Sequence, residues 1–139
     1  MNAENQEKLR TSINAIEAGY EFMLAYSAQG RTFEHTGGGD GPSIRVFLKD
    51  MSEGLENIAD DFENEINQKI SSEADLYLNF IQVLRNDANN ANLAVKMVLA
   101  LPSIGSQVID NLNASIHLRA LLTDLFLCDE ALSSISRKE

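Results

Sequence analysis

The chain has 139 residues, a length that fits one domain with its own core. Its formal net charge of −10 works against phosphate-backbone binding, which rests on Lys and Arg, and against anionic membrane surfaces. The single cysteine, Cys128, cannot close an intrachain disulfide, which fits a reducing compartment, read here as the cytoplasm.

The first stretch, MNAENQEKLRTSINAIEAG, is polar and amphipathic and lacks the apolar core of a signal peptide. Leu9, Ile13, Ile16, Tyr20 and Met23 step by four and three, the spacing of a helical seam. This predicts a helix over 3–29, stopped by Gly30. Ala15, Ala18 and Gly19 would let a second backbone approach closely, either within the chain or across a homodimer.

Gly37, Gly38, Gly39 and Gly41 then crowd into five positions, in a connection longer than the roughly two to eight residues usual between bundle helices. The plain reading is a linker with Asp40 or Gly41 capping the next helix. A ligand reading is also available. A helix N-terminus presents free N–H groups to an anion, and Ser43 and Arg45 add donors. The Lys-Ser/Thr pair and preceding strand of a phosphate loop are absent. His35 beside Glu34 is a candidate partner or metal contact, but a lone histidine makes no metal site.

Ile44, Leu48, Met51, Leu55, Ile58 and Phe62 predict a second helix over 43–69. The rest of that segment is acidic: Asp50, Glu53, Glu56, Asp60, Asp61, Glu63 and Glu65. No Arg or Lys interrupts these seven acids, so they are expected to form an acidic face able to steer a basic partner. Glu53, Glu56 and Asp60 are its candidate contacts. Gly54 raises the same close-packing question as Gly19.

Ser72 with Asp75 resembles a capping arrangement for a third helix over 73–101. Its stripe is Leu76, Phe80, Leu84, Ala88, Ala91, Val95 and Val98, with the polar run Asn86 to Asn92 as its weak point. Pro102 ends that helix, and Ser103 can cap the next. Val108, Leu112, Ile116, Leu122, Leu125, Phe126 and Leu132 predict a fourth helix over 104–136. Its apolar girth implies burial on more than one side.

These elements predict an all-α, single-domain, antiparallel up-down four-helix bundle with one long Gly-rich connection. No reaction centre is expected. Glu-x-x-His, the mark of di-iron bundles, does not occur. His117 lacks the Lys-Gly pair that follows a phosphotransfer histidine and is expected half-buried at an interface. Cys128 has no basic neighbour to activate it. No cofactor and no catalytic residue is predicted. The functional expectation is a non-catalytic adaptor, regulator or assembly factor. It would act on a protein partner, basic in character, through the acidic face of the second helix and the Gly-rich loop, and it is expected to be a homodimer. Nucleic acid and membrane are not expected as partners. The alternative is a sensor that binds an anionic small molecule where the glycines meet the second helix.

Overall fold

The computed structural model describes residues 2–34, 43–69 and 72–138. It is built from α1 (Asn2–Ser27), α2 (Ile44–Asn67), α3 (Ala74–Leu99), α4 (Ser106–Ala114) and α5 (Ile116–Lys138). Among the described residues there is no strand, and no helix is long and apolar enough to cross a membrane.

Five helices stand where the periodicity predicts four, because the expected rod over 104–136 breaks at Ser115. Ser115 is extended (ψ 144°), and its hydroxyl accepts from the Leu118 N–H at 3.3 Å, capping α5. The apolar repeat conceals the break by continuing across it. Val108, Leu112 and Ile116 keep helical spacing, yet the backbone turn leaves Ile116 76% exposed.

α1 and α2 run antiparallel, as do α2 and α3. Ser12 lies beside Asp61, and Phe22 stacks on Phe47 with centroids 4.1 Å apart, which pairs α1 with α2. Ser52 meets Asn92, and Arg45 reaches Leu99, which pairs α2 with α3. Asp87 faces Asp124 across the α3–α5 seam. α4 returns to the end of α1, where the Ser106 hydroxyl donates to the Tyr26 carbonyl at 2.8 Å.

The seams of α1 and α2 behave as their spacing predicts. Leu9, Ile13, Ile16 and Met23 are buried, as are Ile44, Leu48, Met51, Leu55, Ile58 and Phe62; Tyr20 is partly covered. Each such side chain contributes roughly 1.5–3 kcal/mol by leaving water. Gly54 sets the spacing of these two helices, since a Cβ there would stand 2.9 Å from the Ser12 carbonyl oxygen. Gly19 packs the same way against Met51. The close approach permitted by these glycines is thus used inside the chain.

In α3 the polar run stays helical. Ala88 and Ala91 are buried, and Asn92 accepts from the Ser52 hydroxyl at 2.6 Å. Ser72 does not cap this helix: the N-cap residue is Glu73, which makes no side-chain capping bond. Nor does Ser103 cap α4, whose N-cap is Gly105; the Ser103 hydroxyl instead accepts from the Glu34 N–H at 2.9 Å.

That last bond belongs to a strap the sequence does not announce. Gly30 has φ +66°, a conformation costly for other residues, and turns the chain off the end of α1. Residues 31–34 then lie along the α3–α4 connection. Arg31 and Ser106 exchange two bonds, Ser106 N–H to Arg31 carbonyl and Arg31 N–H to Ser106 hydroxyl, both 2.8 Å. Gly105 permits this approach, because a Cβ there would meet the Thr32 carbonyl oxygen at 2.9 Å.

Candidate functional site

Of the residues singled out from sequence, His35 and Asp40 lie outside the described residues, as does the glycine cluster. Ser43 is the N-cap of α2, its hydroxyl accepting from Val46 N–H at 3.2 Å. Arg45 is a tether. Its Nε donates to Glu34 Oε2 at 2.8 Å, Nη1 to the Leu99 carbonyl at 2.7 Å and Nη2 to the Leu101 carbonyl at 2.8 Å. The Arg45 donors assigned to an anion at the start of α2 are therefore engaged in building that end of the fold, while the Ser43 hydroxyl serves it as an acceptor. The other carboxylate oxygen of Glu34 accepts from Ile104 N–H at 3.2 Å, so one ion pair joins α2, the strap and the turn after α3.

The acidic face of α2 differs from its sequence pattern in two ways. Asp61 and Glu65 point inward, because α2 has packed neighbours on both flanks. Asp61 accepts from the Ser12 hydroxyl at 2.6 Å. The outward acids meet bases supplied by α3: Asp60 pairs with Arg85 at 2.6 Å and Glu56 with Lys96 at 3.1 Å. The hydrogen bond from Lys96, with its charge, holds the Glu56 carboxyl below its ordinary pKa. Glu53 is exposed, and no salt bridge joins it to α3.

Three further features come from the tertiary fold. The first is an open apolar groove of about 250 Å³ where the end of α2 meets α3 and α5. Phe62, Tyr77, Phe80 and Cys128 line it, and Leu76 (63% exposed) and Leu127 (47% exposed) form its lips. Leu76 was expected in the stripe of α3, and Phe126 and Leu127 in the buried girth of the last helix. All three are exposed: Leu76 stands in the first turn of α3, and α5, which carries Phe126 and Leu127, has neighbours on only part of its circumference.

The second feature is a cleft of about 620 Å³ between the first turns of α1 and the last turns of α5, lined in part by Leu9, Leu132, Glu7, Asp129 and Glu65. Glu65 is buried, and its Oε1 has no hydrogen-bond partner. Burial raises its carboxyl pKa, and Lys69 pulls it back. The third is the buried carboxyl of Asp124, pushed up to about 7 by burial and by its hydrogen bond to Asp87, with the Asp87 charge adding to both. One turn on, burial with Asp124 and Asp129 pushes the Cys128 thiol up to about 12, so the thiol is unactivated. His117 is exposed at the start of α5 rather than half-buried, because the break at Ser115 rotates it out of the interface.

No family model, curated protein or solved structure matches the chain. The functional reading therefore rests on these surfaces alone.

Some of this was detectable. The apolar girth of "ALLTDLFLCDEAL" signals a surplus of hydrophobic surface, and that surplus lies in the groove and beside it. The inward turn of Glu65 carried no such signal, since it shares the acidic run with outward-facing residues.

Proposed function

We propose that this chain is a non-catalytic adaptor or assembly factor, an antiparallel bundle whose fourth rod is bent at Ser115, and that it holds a basic amphipathic helix of another protein. The groove between α2, α3 and α5 carries this reading. Apolar surface collected in one concave place and rimmed by polar residues marks an interaction site. A helix laid in a groove through its apolar face is a recurring mode of recognition. Asp75 and Glu130 are exposed beside Leu76 and Ala131, and the whole chain carries −10, so a basic helix is the complementary occupant. Glu53, with Asp50, stays in this reading as a steering charge rather than the main contact, since Glu56 and Asp60 are already paired.

The test uses a fluorescent synthetic Leu/Lys amphipathic helix as probe, with anisotropy as the readout. Saturable binding that is lost in Leu127→Asp and weakened only modestly by Glu53→Lys supports the groove. Binding unchanged in Leu127→Asp overturns it. Sedimentation of the protein alone adds a second check. A dimer that becomes monomeric in Leu127→Asp assigns the groove to a second copy and replaces the partner reading with self-association. The anion-sensor alternative keeps Ser43 and Arg45 as its donors, and Arg45 would have to leave its present partners to serve it.

A further inference from the structure

The buried carboxylate of Glu65 has no structural explanation within the fold. The other inward acid of α2, Asp61, takes a hydroxyl donor from Ser12. Glu65 is 2% exposed, and its Oε1 has no partner. A carboxylate oxygen left without a donor in a low-dielectric place is costly, and such groups are usually paired; the charge of nearby Lys69 offsets only part of the burial. A leucine would fill a similar volume without that cost.

The cleft over Glu65 is built for one kind of partner. Two more acids line it, Glu7 and Asp129, against the single base Arg10. Arg10 reaches Asp129 only at 3.8 Å, with side chains 58% and 37% exposed, a loose pair that an incoming cation can replace. Leu9 and Leu132 supply apolar wall between the charges. The volume, about 620 Å³, falls in the range of roughly 300–1,000 Å³ typical of small-molecule sites. A divalent metal is a poor match, since it requires several converging oxygens and no cluster of three or more potential ligands occurs among the described residues. An anion would be repelled.

We propose that the cleft between α1 and α5 binds an organic cation with an aliphatic chain, its ammonium or guanidinium group donating to the buried Glu65 carboxylate and its methylenes lying along Leu9 and Leu132. The shared chemistry has two sources, a free amine of the polyamine type or the side chain of a basic peptide.

Isothermal calorimetry with agmatine, butylamine and a blocked arginine peptide separates the sources, with pentan-1-ol as the uncharged control. One-to-one binding of a cation, absent for the alcohol and about tenfold or more weaker in Glu65→Gln, is the expected result. A stronger response to the amines assigns a free metabolite, and a stronger response to the blocked arginine a protein side chain. Should Glu65→Gln fail to fold, the 13C shift of the Glu65 carboxyl is followed in the unmodified protein; movement on saturation with agmatine supports the site, and a static signal overturns it. The absence of saturable binding by all three cations, or equal affinity in Glu65→Gln, also overturns it.

Discussion

The Cβ position of residue 54 lies 2.9 Å from the carbonyl oxygen of Ser12, so α1 and α2 meet there backbone to backbone. Neither side of that contact has a flexible tip that could move aside. Gly54→Ala is therefore expected to push the helices apart. Overpacking of this kind costs about 1–3 kcal/mol, against a helix-propensity gain of roughly 0.5–1 kcal/mol. The net effect should be a lower urea midpoint with an unchanged slope. A midpoint at or above that of the unmodified protein would show that the helices are free to separate at no cost.

Arg45→Ala removes the donor that joins Glu34 to the carbonyls of Leu99 and Leu101. Hydrogen bonds to charged groups contribute roughly 1.5–3 kcal/mol, and partial exposure places this set at the lower end. Thermal unfolding of Arg45→Ala, Glu34→Gln and the double variant forms a cycle. The double variant should lose less than the sum of the singles. Strict additivity would mean that the pair is not coupled.

Asp124 makes stability depend on pH in a direction opposite to most carboxylates. Its folded pKa of about 7 exceeds its ordinary 3.8, chiefly through burial, then through the hydrogen bond to Asp87 and that residue's charge. Between those values the folded chain holds a proton that the unfolded chain releases. This contribution is present below pH 3.8, declines as pH rises through about 7, and is lost above it. Asp124→Asn, which keeps the shape without the charge, should raise Tm more at pH 8 than at pH 5. An equal shift at both values would refute the assignment.

Cys128 should be slow to react. Its thiol sits at about 12 in the folded chain, and the side chain is buried at the wall of the groove. Alkylation by iodoacetamide at neutral pH should be about a hundredfold or more slower in the native protein than in urea. Comparable rates would place the thiol in the open.

The bounds of α1, α2 and α3 fall within about two residues of those read from spacing alone. Period and burial coincide over most of these stripes, as for Ile58 and Val95, both fully covered, though not at Leu76 in the first turn of α3. Spacing fails where a backbone event leaves the period intact, as at Ser115, whose cap is a hydroxyl bond and not a change in hydropathy. It fails again for Asp61 and Glu65, because a run of like charges does not reveal which members face a neighbour. Arg45 shows the same limit at the candidate site. Its residue type fits an anion contact, but its three acceptors come from residues 34, 99 and 101, whose proximity only the tertiary fold creates.

The strap of residues 31–34 has a kinetic consequence. Arg31 and Ser106 are 75 positions apart, and Glu34 and Ile104 are 70 apart. Contacts that close so long a loop bear its entropy before they return any stabilisation. The helix pairs should assemble first, with the strap docking late, and a ribosome-bound chain cannot complete it until Ser106 has emerged. The two ends of the strap's partner, the turn after α3 and the start of α4, would then be the last part of the molecule to gain protection from hydrogen exchange during refolding.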